Sequence, residues 1–170
     1  MDALGVKSSG GGIRVTRPRG RAPRVVLSGR PLRMAKRRGI VRWHVSLTHD
    51  GDLAAALAIG CPENSPVRGA GIDLTRVARI RRMIATPAAL DRFKKRILHP
   101  SEEKLLKPSK QAAIHLARLW ALKEAAYKAL PHPKPHFLAC QKGILVSGHP
   151  FISAVVEGQG LLLAVVVNCP

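Results

Sequence analysis

The residues in this sequence that could take part in chemistry are a few acids placed inside apolar segments. Asp73 lies in GIDL, which reads as a buried strand, and Glu124 lies in WALKEAAYKAL, which reads as a helix with an apolar background. A carboxylate in such surroundings needs a partner or a metal ion, because desolvation of an unpaired charge is costly. Two isolated carboxylates suit Mg²⁺, which keeps several waters and takes one or two carboxylates together with phosphate oxygens.

A simpler interpretation of the same residues needs no metal. Asp73 would cap the helix that follows it, and Glu124 would pair with Lys128, which lies four residues on in the order that is favourable on a helix. Spacing alone slightly favours this interpretation. A zinc site at His132, His136 and Cys140 is disfavoured, because the prolines in that run break a helical arrangement of ligands.

The elements that must position these residues form a central helical block with strands on either side, which predicts an α+β fold of antiparallel sheets with packed helices. Before the block we predict a flexible basic arm over residues 1–23, a hairpin turn at SGRP (28–31), a strand at WHVSLTHD (43–50), a strand or short helix at DLAAALAI (52–59) and a linker at CPENSPVRGAG (61–71). His44 and His49 would point to opposite faces of their strand, since they are five residues apart.

Within the block, GIDL leads into a helix with Thr75 as a plausible N-cap, which ends before Pro87. Further helices are predicted at LDRFKKRIL (90–98), at SEEKLL (101–106) and from Gln111 to Leu130, where Pro131 and Pro133 end the longest one. The remaining apolar runs predict strands at GILVS (143–147), PFISAVVE (150–157) and LLLAVVV (161–167).

The charge of the chain indicates a polyanionic partner. The 170 residues carry 29 Lys and Arg against 10 Asp and Glu, a formal net charge of +19, while 46% hydrophobic residues indicate a folded protein. Three cysteines without motif spacing argue against a disulfide framework and favour a reducing compartment, so we expect a cytoplasmic protein. The closing GLLLAVVV is too short to span a bilayer, and no membrane association is expected.

Several blocks together resemble the signature of the 4'-phosphopantetheinyl transferases, which activate acyl carrier proteins. These blocks are GIDLTRVARIRRM (71–83), RFKKRILHPSE (92–102) and LARLWALKEAAYKAL (116–130). Upstream, SGRP resembles the family's Gly-Lys-Pro turn and HVSLTHD (44–50) its Ser-x-x-His strand. The combination of a GxD strand, an R-I-L-x-x-x-E stretch and WxxKEA is far more specific than any one short motif.

The resemblance implies a Mg²⁺-dependent holo-[acyl-carrier-protein] synthase that uses coenzyme A as donor and an acidic apo carrier protein as acceptor. Asp73 and Glu124 would bind the metal and, with Lys123 beside the attacked phosphate, form the catalytic group. Lys128 would contact the pyrophosphate of coenzyme A, and Arg30 and His49 its 3'-phosphoadenosine end. The carrier protein would dock on the basic helix that carries Arg76, Arg79 and Arg82.

Block order resembles that of the family's larger two-lobed type, because SGRP and HVSLTHD precede GIDL. We therefore expect pseudo-duplicated lobes in a monomer, with an abbreviated first lobe at residues 24–66 and a second lobe at 67–170 that carries the metal site. Two features depart from the family: PHPKP (131–135) replaces a glycine-rich segment, and Thr75 stands where two-lobed enzymes often have a second acid. The rival hypotheses are a basic nucleic-acid-binding protein, which the low aromatic content disfavours, and an inactive relative of the transferases.

Overall fold

The computed structural model of the chain describes residues 12–17, 22–106, 111–131, 143–145 and 148–170. Its helices are α1 (Gly29–Arg37), α2 (Val77–Met83), α3 (Pro87–Ile97), α4 (Pro100–Leu105) and α5 (Ala112–Ala129). Its strands are β1 (Ile13–Thr16), β2 (Arg24–Leu27), β3 (Arg42–Asp50), β4 (Leu53–Cys61), β5 (Gly69–Arg76), β6 (Phe151–Gly158) and β7 (Leu161–Asn168).

The strands form three antiparallel sheets, with the helices α2 to α5 grouped between β5 and β6 in the chain. β1 pairs with β2, β3 pairs with β4, and a three-stranded sheet has the order β5-β7-β6. This arrangement confirms the predicted α+β class. In the described part of the chain, no helix combines the length and apolar character needed to cross a bilayer.

The hairpin of β3 and β4 places one polar face of β3 against β5. Ser46 and Thr48 are buried, whereas Leu47 and His49, which alternate with them, are exposed. The register runs from Arg42 opposite Cys61 to Asp50 opposite Leu53. Gly51, with φ of +66°, makes the tight turn possible.

Helix α5 packs on the sheet of β5, β7 and β6 and forms the core with it. Every second residue of β7, including Leu162, Ala164 and Val166, is fully buried in this core. On the facing side, a Cβ atom added at Gly69 or Gly71 of β5 would lie 2.0 Å from the Ala129 carbonyl oxygen or 1.9 Å from that of Ala125. The missing side chains therefore allow the backbones of β5 and α5 to come close together.

Two predictions for the N-terminal region are wrong. SGRP does not form a hairpin turn: Gly29 and Pro31 lie in the first turn of α1, where a proline costs no hydrogen bond. The predicted flexible arm contains β1, which pairs in register with β2 from Ile13 opposite Leu27 to Thr16 opposite Arg24. Residues 1–11 and 18–21 of that arm lie outside the described residues.

The helical block largely follows the prediction, with a correction at its start. Thr75 is not an N-cap, since it is the last residue but one of β5 and Arg76 occupies the N-cap position of α2. The strand predicted at GILVS is a turn over residues 143–145, and its last two residues are outside the described part. His132, His136, Cys140 and all of PHPKP except Pro131 also lie outside the described residues.

Candidate active site

Asp73 is a buried carboxylate at the middle of β5, with only 6% of the residue exposed. Its Oδ1 accepts hydrogen bonds from Thr48 Oγ1 at 3.1 Å and from Lys128 Nζ at 2.9 Å. Its Oδ2 accepts one from Thr75 Oγ1 at 2.9 Å. Three donors from three elements therefore hold the Asp73 carboxylate, which has room for about one acceptor contact more.

Glu124 lies half-buried on α5, one helical turn before Lys128. Burial raises the pKa of its carboxyl group above the ordinary value, and the negative charge of Asp73 raises it further. The charges of Lys128 and Arg79 act in the opposite direction. The two carboxylates are thus close enough to repel each other, and within the described residues no group donates a hydrogen bond to Glu124.

The donor set of this carboxylate pair fits a hard divalent cation. Asp73 retains one acceptor direction, Glu124 is unoccupied by a protein donor, and a cation would relieve the repulsion between them. The described residues hold no group of three or more His, Cys, Asp and Glu side chains that could form a site. An ion here would take two protein carboxylates and complete its shell with water and substrate oxygens, which is typical of Mg²⁺.

Lys128 belongs to the same site, and its position argues against the simpler interpretation of the sequence. Its ammonium donates to Asp73 and also to the carbonyl oxygen of Ile72, at 3.0 Å. The side chain is 26% exposed, so the ammonium reaches both the buried carboxylate and solvent. Lys128 is therefore a partner of Asp73 across two elements, and Asp73 does not cap α2.

Lys123 lies elsewhere, although it is next to Glu124 in the chain. It is fully buried, and its Nζ donates to Glu102 Oε2 and to the Ile97 carbonyl oxygen, both at 2.7 Å. Burial lowers the pKa of the Lys123 ammonium, and the hydrogen bond to Glu102 partly opposes this effect. These contacts tie α5 to α3 and α4, and the place of Lys123 beside the attacked phosphate stays a prediction.

The three arginines assigned to carrier docking have different surroundings. The Arg76 side chain pairs with Asp52 in the turn between β3 and β4. Arg79 has its guanidinium 5.9 Å above the Trp120 ring, and its Nη1 lies 3.9 Å from Asp50 Oδ2. Arg82 is exposed and has no ion pair with any residue that the structure describes. Arg79 therefore borders the carboxylate pair, whereas Arg82 is open to solvent.

Arg30 and His49 are not brought into contact with the carboxylates. Arg30 is exposed on α1, and His49 is exposed on the face of β3 that points away from β5. His44, on the opposite face, directs Nε2 to the carbonyl oxygen of Val67 at 3.2 Å, as the alternation of the strand predicts. The involvement of Arg30 and His49 in substrate binding stays a prediction.

Sequence reasoning missed three residues that shape the site or hold the helices around it. Thr48 contacts Asp73, Asp50 accepts from the backbone N–H of Arg76 at 2.8 Å, and Glu102 holds Lys123. The alternation of Ser46, Thr48 and Asp50 along β3 was a usable signal, because polar residues on the inner face of a strand must find buried partners. For Glu102 the signal was its third position after His99, where it completes a capping box.

The chain shows similarity to known proteins in the same region. The family model of the 4'-phosphopantetheinyl transferase superfamily matches residues 69–145. The chain is 41% identical over 69 residues to the holo-[acyl-carrier-protein] synthase of Anaeromyxobacter sp. (strain K), which covers 40% of this chain and 54% of that protein. It is 47% identical over 45 residues to the holo-[acyl-carrier-protein] synthase of Beutenbergia cavernae. This match covers 26% of this chain and 39% of that protein. The chain thus spans about half the length, or less, of these curated relatives.

One similar solved structure is a holo-(acyl-carrier-protein) synthase from Bacillus anthracis str. Ames in complex with CoA (3',5'-ADP). It has a TM-score of 0.48 and 22% sequence identity, over 59% of this chain and 95% of that one. The matched residues 69–145 contain Asp73, Glu124 and Lys128, the three side chains that the fold brings together. This segment of the chain is similar to the 4'-phosphopantetheinyl transferase superfamily.

Proposed function

We propose that this protein transfers the 4'-phosphopantetheine group of coenzyme A to a serine of an acidic apo carrier protein, with Mg²⁺ as cofactor, and releases 3',5'-ADP. The observation that carries the proposal is the pair formed by the buried Asp73 and the half-buried Glu124 beside Lys128, inside the segment that matches the transferase family. Carboxylates and an ammonium in one partly buried site are suited to bind and transfer a phosphoryl group.

The reaction forms a bond between the serine oxygen and the β-phosphorus of coenzyme A and breaks the bond from that phosphorus to the bridging oxygen. A Mg²⁺ ion held by Asp73 and Glu124 would supply positive charge for the pyrophosphate oxygens. Lys128 lies 2.9 Å from Asp73 and is partly exposed, so its ammonium can donate to a phosphate oxygen as negative charge moves to the leaving group.

Glu124 is the candidate base for the serine proton, directly or through a water molecule. Glu124 receives no hydrogen bond from the described residues, so a carboxylate oxygen is available to take the serine proton. The carrier protein would approach over α2, where Arg79 borders the carboxylates and Arg82 is open to solvent. We further propose that the protein acts as a cytoplasmic monomer in which the two lobes form one site.

The test is to incubate the full chain with coenzyme A, Mg²⁺ and a panel of apo carrier proteins, and to measure the mass of each carrier. We expect a mass gain of one phosphopantetheine on the carrier serine, with release of 3',5'-ADP. No gain on any carrier, under conditions where a known synthase modifies the same panel, would refute the proposal. Binding of coenzyme A without turnover would instead identify an inactive relative.

A second candidate function is nucleic-acid binding, which one observation favours. The side chains of α1 and its C-cap include five exposed cations that form no ion pair with the residues that the structure describes: Arg30, Arg33, Lys36, Arg37 and Arg38. Such a surface attracts phosphate backbones without reading sequence. Salt-sensitive binding to duplex DNA that is lost in the double variant Arg33→Glu, Arg37→Glu would support this candidate, and equal binding by the variant would refute it.

A further inference from the structure

β5 is an edge strand of its sheet, and side chains of β3 accept hydrogen bonds from backbone N–H groups along its outer edge. The backbone N–H of Ile72 donates to Ser46 Oγ and that of Leu74 to Thr48 Oγ1, both at 3.1 Å. These contacts advance by two residues along each strand, so β3 lies along the edge of β5 in a fixed register. The edge that carries Asp73 is thereby held by the first lobe.

Thr48 differs from Ser46 because its hydroxyl has a second partner. Thr48 Oγ1 accepts from the Leu74 N–H and donates to Asp73 Oδ1, which uses both the acceptor and the donor capacity of one hydroxyl. Thr75 Oγ1 donates to the other oxygen, Asp73 Oδ2. Thr48 is 8% exposed and Thr75 is fully buried, so water does not compete for these bonds.

We infer that Thr48 and Thr75 are positioning residues that fix both oxygens of Asp73 and so set the direction in which this carboxylate meets a divalent cation. The inference rests on the metal site of the proposed function and extends it to two residues with no charge. Hydrogen bonds to a ligating carboxylate orient it, and their loss weakens metal affinity about 10-fold to 100-fold in proteins.

Thr48 matters more than Lys128 for the position of Asp73 Oδ1, because Lys128, the other donor to this oxygen, can exchange partners. Lys128 is long, partly exposed and suited to a phosphate oxygen, so its ammonium can leave Asp73 when substrate binds. The hydroxyl of Thr48 is short and buried, so it keeps Oδ1 in place during that exchange. The first lobe would in this way complete a metal ligand of the second.

The test measures binding of Mn²⁺, as a probe for the Mg²⁺ site, to the full chain by calorimetry and by electron paramagnetic resonance. We expect Thr48→Val and Thr75→Val each to raise the Kd for Mn²⁺ about tenfold. Thr48→Ser, which restores the hydroxyl, should return the Kd to within about twofold of the original. Ser46→Ala is the matched control, because it removes the equivalent contact to β5 but none to Asp73.

A merely structural role predicts a different pattern, in which Ser46→Ala and Thr48→Val change thermal stability and Mn²⁺ affinity alike. That result would overturn the inference, as would an unchanged Kd in a folded Thr48→Val protein or no Mn²⁺ binding by the original chain. If Thr48→Val does not fold, the pair Thr75→Val and Thr75→Ser decides the question with the same criterion.

Transfer activity, measured on the same samples, separates this inference from the proposed function. A chain that transfers phosphopantetheine but whose Thr48→Val variant binds Mn²⁺ normally refutes the positioning role alone. A chain that shows the expected Mn²⁺ pattern but modifies no carrier refutes the proposed function and upholds the positioning role.

Discussion

At the scale of single residues, the two carboxylates of the site differ in what surrounds them. Asp73 is held by three donors, whereas Glu124 is half-buried and receives no hydrogen bond from the described residues. Burial raises the pKa of Glu124, so folding disfavours its charged form, and Glu124 lacks the hydrogen-bond donors that surround Asp73. A carboxylate whose pKa is raised by burial and a neighbouring charge is a candidate for a functional group.

This difference predicts opposite effects of two isosteric variants on stability. Glu124→Gln removes a desolvated charge, so the thermal midpoint should stay level or rise, while Asp73→Asn removes the charged acceptor that Lys128 Nζ contacts at 2.9 Å and should lower it. Both variants should reduce transfer about a hundredfold or more, since each removes charge at the phosphoryl group. Scanning calorimetry and the carrier mass assay check this, and unchanged transfer in either variant would remove that residue from the mechanism.

Lys123 provides a second prediction, because breaking its buried ion pair with Glu102 should lower the free energy of unfolding. Lys123→Met leaves the Glu102 carboxylate buried and unpaired, so urea unfolding should show a loss of about 3–5 kcal/mol. The double variant Lys123→Met, Glu102→Gln should recover part of that loss, since no uncompensated charge remains. A Lys123→Met protein with full stability but no transfer activity would instead place Lys123 at the phosphate.

His44 makes a pH-dependent contribution that can be isolated. Burial lowers the pKa of its imidazole below 6.5, and the charge of Arg42 adds to this effect. The unfolded chain therefore takes up a proton near pH 6.5 more readily than the folded one, and stability falls as the pH drops through this range. The loss of thermal midpoint between pH 7.5 and 5.5 should be smaller in His44→Gln, and an equal loss in both proteins would contradict the assignment.

At the scale of elements, the close approach of β5 and α5 brings Asp73 to Glu124 and Lys128. Gly71 lies under the backbone of α5, where an added Cβ would be 1.9 Å from the Ala125 carbonyl oxygen. Because that contact is with backbone, the helix as a whole would have to move away from the strand. The geometry of the site thus depends on the absence of a side chain at this position.

Gly71→Ala should therefore destabilise the fold by about 1–3 kcal/mol through overpacking and should also lower transfer activity. Gly158→Ala in β6 is the control, because a Cβ atom there meets nothing within 4 Å. Its effect on stability should be below about 1 kcal/mol. Urea unfolding of both variants checks the comparison, which fails if the two glycines behave alike.

The elements around the site could be predicted from sequence where apolar residues or helix formers are dense. The apolar run PFISAVVE and the helix-forming run from Gln111 to Leu130 predict β6 and α5 to within a residue or two. The first helix was missed because Gly29 and Pro31 are turn residues that also suit a helix start. The contact of Thr48 with Asp73 was not predictable, because it joins residues 25 positions apart and depends on how β3 lies against β5.

At the scale of the whole molecule, some of the exposed cations form ion pairs with acids and others do not. Arg76 and Arg118 form ion pairs with Asp52 and Glu157, which hold the β3–β4 turn and β6 against the helical block. By contrast, Arg82 on α2 and the exposed cations of α1 have no such partner among the described residues. Unpaired cations cost repulsion in the folded state and gain most from an anionic partner.

The two unpaired surfaces should therefore serve different partners, and charge reversal can tell them apart. Arg82→Glu should raise the KM for an acidic carrier protein severalfold and leave the KM for coenzyme A unchanged, because the charge on α2 that acts on the Glu124 carboxylate is that of Arg79 and Arg82 is exposed to solvent. Arg33→Glu on α1 makes the same change in net charge and should leave the KM for the carrier within about twofold. Steady-state kinetics at low and high salt test the pair, and the difference should shrink at high salt. Equal effects of both variants would show that the carrier responds to total charge and not to a docking surface on α2.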